Sequence, residues 1–187
     1  ERDEGQYDDE RDVFWVSGAA FCCRASVFHA LGGFDADFFA HMEEIDLCWR
    51  MQLAGWRVRI VPQSSVYHLG GGTLTVDSPT KVFYNHRNNL AMLYKCAAPG
   101  QRLLAAVVRP WLDLLAALSY LAQGRYDNFR AVFRAWRDFL KWHPALVAKR
   151  RAVSKSRVPQ PCVRIFRGSV LLRYFLGRRT FGNLMEK

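Results

Sequence analysis

The sequence predicts an α/β fold for its first half and a basic, mainly α-helical extension for its second half. In residues 13–68, short runs rich in β-branched and aromatic residues alternate with helical segments that end at glycines. From residue 81 onward, apolar residues recur at helical spacing over long stretches. Residues 1–80 hold 13 acidic and 6 Lys or Arg residues, a net −7, whereas residues 81–187 have a net charge of +17. We consider the chain as two regions, 1–95 and 96–187.

The composition indicates a globular, intracellular protein. With 187 residues and 50% hydrophobic content, the chain can bury a sizeable core. It opens with a polar, acidic stretch and no initiator Met, so we expect it to be the back part of a longer protein. Its five cysteines form no Cys-x-x-Cys pair, which argues against a zinc site or a disulfide framework and favours a reducing cytosol.

Three segments of the first region read as strands. They are Val13–Cys23, Trp56–Val61 and Ser65–His68. The first is interrupted by Ser17, Gly18 and Ala19, and small residues in a strand allow either a ligand or a neighbouring segment to approach the backbone closely. Both interpretations of these three residues stay open on the sequence alone.

Several segments read as helices. The first covers residues 24–31 and ends at Gly32 and Gly33, and the second covers residues 43–53 and ends at Gly55. A third, over residues 81–94, opens the basic half. Residues 103–122 are apolar enough to suggest a membrane span, but Arg109, Pro110 and Asp113 near the middle favour a packed or interfacial helix. Residues 149–161 read as a basic linker before a last apolar helix over 163–176.

The helix over residues 126–141 carries aromatic residues on one face and arginines on another. This pattern is typical of an in-plane membrane anchor and equally of an ordinary amphipathic helix packed on a core. Nucleic acid is a weaker candidate for the basic half, because stacking platforms interleave aromatic and basic residues on one face. We therefore expect an anionic membrane surface, and not nucleic acid, as the partner of this extension.

The first turn of the helix over 43–53 gathers three carboxylates, Glu43, Glu44 and Asp46. Asp46 lies four residues before Arg50 and is placed to pair with it, whereas Glu44 points elsewhere. A helix start capped by acids with one ion pair would explain the pattern without any chemistry. Catalysis is the alternative, since paired carboxylates are suited to general acid–base work.

Two further groups are candidates for ligand binding. His68 lies between an apolar run and the triple glycine Gly70–Gly72, where an imidazole could bind a metal ion or could be structural. Arg87 and Asn88 could clamp an oxyanion, or they could tether their helix to the core. The sequence alone leaves both questions open.

Several motifs in a fixed order resemble the C-terminal half of the catalytic domain of family 2 glycosyltransferases, in particular the rhamnosyltransferase-like branch. The motifs are Ser17-Gly18-Ala19, Gly32-Gly33-Phe34-Asp35, the run from Met42 to Arg50, Ala54-Gly55-Trp56, Val66-Tyr67-His68 and Gly70-Gly71-Gly72. The resemblance covers about residues 13–95, and the ordered set is far more specific than any one motif.

The resemblance implies a GT-A fold, which is Rossmann-like, and assigns roles to individual residues. Glu44 takes the second position of the family's acidic pair and would be the catalytic base, with Glu43 and Asp46 as further catalytic candidates. The remaining candidates are Ser17, Gly18 and Ala19 lining the sugar pocket, Trp49, Arg50, Arg87 and Asn88 contacting donor or acceptor, and His68 in the metal shell.

The same resemblance implies an inverting, metal-dependent hexosyltransferase acting in bacterial cell-surface polysaccharide assembly. Its partners would be a nucleotide-sugar donor, a lipid-linked or saccharide acceptor, and Mg²⁺ or Mn²⁺, on the cytoplasmic face of the membrane. Asp35-Ala36-Asp37 imitates the family's Asp-x-Asp metal motif, but it lies in a turn, so we expect the true motif and the nucleotide-binding half upstream. We accordingly expect the chain alone to be inactive. A carboxylate–histidine metal hydrolase and a non-catalytic basic binding module are the alternatives.

Overall fold

The computed structural model describes residues 4–68, 78–161, 163, 165 and 170–177. These residues are mainly helical. Their regular elements are β1 (Arg11–Asp12), α1 (Ala25–Ala30), α2 (Glu43–Leu53), β2 (Arg59–Ile60), α3 (Pro79–Cys96), α4 (Pro99–Ala122), α5 (Tyr126–Ser156) and α6 (Val170–Phe175), with single 3₁₀ turns at Gly18–Ala20 and Ala36–Phe38.

The sheet is much smaller than the sequence predicts. Within the described residues it consists of β1 and β2 alone, which pair antiparallel with Arg11 opposite Ile60. The predicted strand over 13–23 is wrong, because the chain leaves the sheet after Val13 and forms a 3₁₀ turn. The predicted strand over 56–61 shortens to two residues, and residues 65–68 form no strand. A strand persists only where a neighbouring backbone pairs with it, and in the described part these segments lack that neighbour.

The short helices of the first region end where the sequence predicts. After α1, Gly32 and Gly33 take φ angles of 79° and 65°, which favour glycine. A Cβ on Gly33 would lie 2.9 Å from the ring of Phe28, so the turn needs glycine for space as well. After α2, Gly55 has a φ of 89° and stops the helix. The predicted turn and helix stop are therefore confirmed.

The second half forms three long helices. α3 begins at Pro79, and its N-terminus is capped by Ser78, whose Oγ accepts a hydrogen bond from Lys81 N at 3.3 Å. α4 and α5 form a hairpin that reverses at Gly124, where φ is 71°. The predicted linker is wrong over residues 149–156, which continue α5, because Val153 is buried in the core and anchors that part of the helix. The last helix is shorter than predicted, since residues 163 and 165 are not helical.

The core lies around α3, which packs against α2, α4 and α5. One buried cluster joins α2, α3 and α5 and includes Phe38, Trp49, Met92 and Leu146. A second joins α3 to the hairpin through Val82, Ala117, Ala131 and Val132, and a third, smaller one joins α1 to α2. Helix α5 thus completes the core on which α2 rests, and α2 carries the three acids.

Candidate active site

The mouth of α2 carries Glu43, Glu44 and Asp46 in its first turn, as predicted. The N-cap residue is Met42, whose φ of 73° is left-handed and whose side chain makes no capping hydrogen bond. The free backbone N–H groups of a helix start attract negative charge. The backbone N–H groups at residues 44 and 45 of this first turn act to lower the pKa of Glu44.

Glu44 has the electrostatics of a proton acceptor. It is half-buried, and that burial raises its pKa above the ordinary value for glutamate. The neighbouring charge of Glu43 raises the pKa further, while the backbone hydrogen bonds oppose the shift. A carboxylate with a raised pKa is a stronger base than a solvated one, which is the property that general base catalysis needs.

The turn formed by Ser17, Gly18 and Ala19 lies directly against Glu44. A Cβ placed on Gly18 would lie 3.8 Å from Cβ of Glu44, and Ser17 Oγ accepts a hydrogen bond from Ala19 N at 3.2 Å. The structure therefore brings together the predicted base and the predicted sugar-pocket segment, which are separated by about 25 residues in sequence. This contact defines the candidate active site.

The loop that leads into α2 is strained. Phe39, His41 and Met42 all have positive φ angles, of 63°, 68° and 73°, although none of them is glycine. Such conformations are unfavourable for L-residues and persist only where surrounding contacts impose them, often at functional sites. Phe39 is 72% exposed and its ring lies 5.3 Å from the ring of Tyr84. This strained loop therefore carries an exposed aromatic ring that packs against Tyr84 of α3.

Arg87 and Asn88 hold this loop from α3. The fully buried Asn88 amide donates hydrogen bonds to the carbonyl oxygens of Phe38, Ala40 and His41 at 2.8–2.9 Å. Arg87 donates to the carbonyl of Asp37 at 2.7 Å, and its guanidinium lies 4.9 Å from the ring of Trp142 on α5. Of the two roles considered for these residues, the structure supports the tether. Their predicted contact with donor or acceptor stays a prediction.

Asp46, Trp49 and Arg50 are buried on the inner side of α2. Asp46 is fully buried, and its carboxylate contacts Arg50 Nε at 2.8 Å and Lys95 Nζ at 2.9 Å. Arg50 also donates to the carbonyl oxygens of Leu31 and Gly33, at 2.6 and 2.7 Å. The predicted Asp46–Arg50 pair is confirmed. Asp46 and Arg50 are enclosed and paired with each other, and Trp49 packs in the buried cluster against Phe14, so their surroundings support structural roles. The catalytic and ligand-binding roles expected from the sequence stay predictions.

An ion-pair cluster that the sequence did not reveal lies beside this pair. Asp35 bonds to Lys95 Nζ at 2.6 Å and to Lys149 of α5, and Lys149 also contacts Asp37 at 2.5 Å. Burial raises the pKa of Asp35, but the two lysines outweigh it and the pKa is lowered overall. The expected role of Asp35 as a turn residue is consistent with its hydrogen bond from Asp37 N at 3.2 Å. A cleft of about 510 Å³ opens here, but Glu44 does not line it.

The predicted metal ligand His68 is exposed and is the last residue before the undescribed segment 69–77. The triple glycine Gly70–Gly72 lies within that segment and so outside the described residues. Across residues 4–68 and 78–161, no group of three or more His, Cys, Asp or Glu side chains is arranged to hold a metal ion. The described residues alone therefore do not form a metal site, and the role of His68 stays a prediction.

The comparisons with known proteins identify the family. A profile described as "Glycosyl transferase family group 2" matches residues 9–147. The chain belongs to this family of glycosyltransferases. Within it, the chain is rhamnosyltransferase-like over part of its length. The match continues beyond residue 95 through α4 and into α5, so the helical hairpin is part of the segment that the family shares.

Three curated relatives are similar to parts of the chain. N-acetylglucosaminyl-diphospho-decaprenol L-rhamnosyltransferase of Mycobacterium tuberculosis is 34% identical over 92 residues, which are 49% of this chain and 30% of that protein. Rhamnosyltransferase WbbL of Escherichia coli is 41% identical over 56 residues, 30% of this chain and 21% of that protein. The M. tuberculosis pre-mycofactocin glycosyltransferase is 43% identical over 56 residues, 30% of this chain and 12% of that protein. The chain therefore spans less than a third of each relative. No solved structure matches it.

Proposed function

We propose that this chain carries the acceptor side of a GT-A glycosyltransferase that transfers a hexose from a nucleotide sugar to a hydroxyl group with inversion. The observation that carries the proposal is the contact between Glu44 and the Ser17-Gly18-Ala19 turn at the mouth of α2. It places the side-chain stem of Glu44, whose carboxyl group has a raised pKa, against a segment of small residues, and such residues allow a ligand to approach the backbone closely.

In the proposed reaction, the carboxylate of Glu44 takes the proton of the acceptor hydroxyl. The acceptor oxygen then attacks the anomeric carbon of the donor sugar from the face opposite the diphosphate. The new glycosidic bond forms as the bond to the diphosphate oxygen breaks, and the configuration at the anomeric carbon inverts. The exposed ring of Phe39, in the loop that leads into α2, supplies an apolar surface on which a sugar ring can stack.

The names of the relatives support the class of substrate. One relative is named for L-rhamnosyl transfer to N-acetylglucosaminyl-diphospho-decaprenol, and a second is also named a rhamnosyltransferase. We propose by analogy a nucleotide-sugar donor and a lipid-linked or saccharide acceptor in cell-surface polysaccharide assembly. Such an enzyme would work at the cytoplasmic face of the cell membrane.

A divalent cation, Mg²⁺ or Mn²⁺, is part of the same proposal. When bound, it would supply charge compensation for the leaving diphosphate. In this chain His68 is the proposed contributor, and the other ligands would have to come from residues outside those described.

The test of the proposed function is Glu44→Gln in the full-length gene product. Transfer is assayed with a panel of nucleoside diphosphate sugars, including nucleotide-activated L-rhamnose, and an N-acetylglucosaminyl-diphospho-prenol acceptor. Loss of a positioned general base lowers kcat by about 10²–10⁴-fold. Donor affinity, measured by calorimetry, should stay within about twofold, because Glu44 faces the acceptor in the proposed mechanism.

The exposed Asp8 provides the matched control, since Asp8→Asn also removes one carboxylate charge near the start of the chain. It should leave kcat unchanged. Retained turnover in Glu44→Gln would remove Glu44 from the role of base. Detectable transfer by the 187-residue chain alone would contradict the assignment of this chain to the acceptor side only.

A further inference from the structure

Helix α4 exposes its apolar face, unlike an ordinary surface helix. A helix on the surface of a water-soluble protein turns its apolar stripe toward the core and its charges toward water. In α4, nine large apolar side chains are exposed, each between 37% and 69%: Leu103, Leu104, Val107, Val108, Trp111, Leu114, Leu115, Leu118 and Leu121. At about 100° per residue they occupy one arc of about 140°, and no charged residue falls within it.

The polar side of α4 faces the protein. Asp113 is 2% exposed and accepts hydrogen bonds from Arg109 at 2.7 Å and from Trp136 Nε1 at 2.9 Å. Its other contact is His86 Nδ1 on α3, at 2.9 Å. These bonds fix the rotation of α4 about its axis, because turning the apolar face inward would expose this network and break it. The hydrogen bonds of Asp113 therefore keep the apolar face of α4 turned outward.

The apolar surface continues from α4 onto the edge of α5 and is then bordered by positive charge. Phe133 of α5 is 48% exposed and lines a shallow apolar groove together with Leu114. Beyond it along the outer side of α5, Arg130, Arg134 and Arg137 are all exposed. By helical spacing they fall within about 60° of one another and next to Phe133. An apolar face bordered by arginines is the arrangement of helices that lie in a bilayer interface.

The chemistry of this face selects a lipid over a protein as its occupant. Protein interfaces carry about one hydrogen bond per 100–200 Å². From Leu103 to Leu121, about 27 Å along the axis, the exposed large side chains offer only the indole N–H of Trp111. A bilayer needs no matched polar partner in its apolar layer, and its anionic headgroups complement the net charge of +17 on residues 81–187.

Helix α4 is long and apolar enough to cross a membrane by length and composition, and it is the one such helix among the described residues. Its inward face is nevertheless hydrogen-bonded to α3 and α5 through Asp113. Helix α5, which packs beside α4, carries exposed arginines. A crossing would bring those arginines into the hydrocarbon layer, at a cost of about 2.5–3.5 kcal/mol each at its centre. The packed hairpin thus favours a helix that lies in the plane of the interface.

We propose that the outward face of α4, from Leu103 to Leu121, is the surface by which this chain docks on an anionic lipid bilayer. The helix lies in the interfacial plane with its apolar face in the acyl boundary, and the arginines of α5 contact the headgroups. The inference specifies the membrane contact of the proposed function, and it requires no sugar transfer. Its failure would therefore leave the role of Glu44 untouched, and the converse also holds.

The experiment is flotation of the 187-residue chain with vesicles of phosphatidylcholine, with and without phosphatidylglycerol. The test variant combines Leu104→Ser, Trp111→Ser and Leu118→Ser, all at exposed positions, and should bind at least about tenfold more weakly. The control variant combines Val61→Ser and Val66→Ser, which also remove exposed apolar side chains, at 49% and 55%, and should bind like the parent. Circular dichroism verifies that both variants keep their helix content.

Two further measurements make the outcome independent of any one variant. Arg130→Gln with Arg137→Gln removes two positive charges beside the apolar face and should weaken binding to anionic vesicles by about thirtyfold, at about 1 kcal/mol per charge, while binding to neutral vesicles stays unchanged. Alkaline carbonate should release the bound parent chain, as it does for an in-plane helix. Unchanged flotation of the α4 variant would overturn the proposal, and retention after carbonate would overturn the in-plane geometry. A parent chain that ignores vesicles and forms a dimer that the α4 variant dissociates, measured by light scattering, would assign the face to a second copy.

Discussion

Glu44 and Asp46 are two residues apart on the same helix turn, and their surroundings give them opposite characters. Asp46 faces inward, where Arg50 and Lys95 neutralise it at 2.8 and 2.9 Å. Glu44 faces the small-residue turn and has no ion pair within the described residues, so burial raises its pKa. Two carboxylates with divergent environments are suited to different tasks, one structural and one chemical.

The raised pKa of Glu44 predicts that this residue lowers the stability of the fold at neutral pH. When the folded-state pKa of an acid lies above its unfolded value, the ionised form is disfavoured in the folded state, so stability falls as pH rises through the two values. Replacing Glu44 by Gln, an uncharged side chain of the same shape, should raise the melting temperature at pH 7.5. Each 1 kcal/mol gained corresponds to about 2–4 °C for a chain of this size.

The pH dependence distinguishes this effect from better packing. Near pH 4, about the ordinary value for glutamate, the parent residue is largely protonated and the gain from Glu44→Gln should shrink. Thermal unfolding of the parent chain and of Glu44→Gln, at pH 7.5 and near pH 4, measures this difference in melting temperature. The control Asp8→Asn should leave the melting temperature unchanged at both pH values. An equal gain at both values, or a loss at neutral pH, would show that burial does not disfavour the Glu44 anion.

Among single residues, local partners were predictable from the sequence and distant partners were not. The Asp46–Arg50 pair follows from helical spacing and was predicted. Lys95 and Lys149 pair with Asp35 and Asp46 although they lie 49 to 114 positions away in sequence, and no periodicity connects them. The left-handed angles of Phe39, His41 and Met42 were also out of reach, because they are imposed by hydrogen bonds from Asn88 and not by local preference.

Among the elements, α5 braces the loop and turn that lead into α2. Arg150 donates hydrogen bonds to the carbonyl oxygens of Tyr94 and Ala97 at the end of α3, at 2.6 and 3.2 Å. Lys149, one residue earlier, pairs with Asp35 and Asp37 in the turn before the strained loop. Through these contacts a helix from the basic half of the chain fixes the approach to the candidate active site.

Replacing Lys149 with Met should destabilise the fold by about 1–2 kcal/mol at neutral pH. The substitution removes the ion pair between Asp37 and α5, and it leaves Lys95 as the remaining ion-pair partner of Asp35. Burial lowers the pKa of Lys149, but its hydrogen bonds to Asp35 and Asp37 raise the pKa overall. The contribution of the cluster is therefore present at neutral pH. It is lost in acid as Asp35, whose pKa is lowered, becomes protonated, and in alkali as Lys149 loses its proton.

Urea unfolding at pH 7 and near pH 3 measures this contribution, and the difference between parent and Lys149→Met should be smaller in acid. Lys155, exposed near the end of the same helix, gives the control Lys155→Met, which should be neutral. Hydrogen exchange provides a second measurement. The amides of residues 38–46 should exchange faster in Lys149→Met than in the parent, and at the parent rate in Lys155→Met. Unchanged exchange there would show that α5 does not brace the loop.

The elements also show where pattern analysis loses information. Helices α1 and α2 were predicted closely, because the glycines at their ends act locally, and α3 was predicted over residues 81–94 without its start at Ser78 and Pro79. The strands were overpredicted, because a β-rich run becomes a strand only with a partner that the run itself does not specify. For α4, periodicity revealed a stripe but not its direction, since a hydrophobic stripe looks the same whether it faces a core or a bilayer.

For the whole molecule, the structure links the two regions into which the sequence divides. The family profile extends to residue 147, and the buried cluster around Phe38 and Trp49 includes Leu146 and Val153 of α5. The charge division at residue 80 is real in composition, yet opposite charges from the two halves meet at Asp35 and Lys149. A boundary at residue 95 stays a prediction, and a truncation can decide it.

A chain that ends at Gln123 lacks α5, so it loses the side chains that close two of the three buried clusters. We expect this truncation to unfold without a cooperative transition and to exchange the amides of α2 and α3 at rates near those of an unfolded chain, because the core around α3 stays open. A control chain that ends at Leu176 keeps α1 to α6 and should melt cooperatively, like the parent. If the chain that ends at Gln123 melts cooperatively with protected α2 amides, then residues 1–95 fold as a unit and α5 is only an attachment. Loss of the cooperative transition in this truncation would instead make α5 a structural component of the site that presents Glu44.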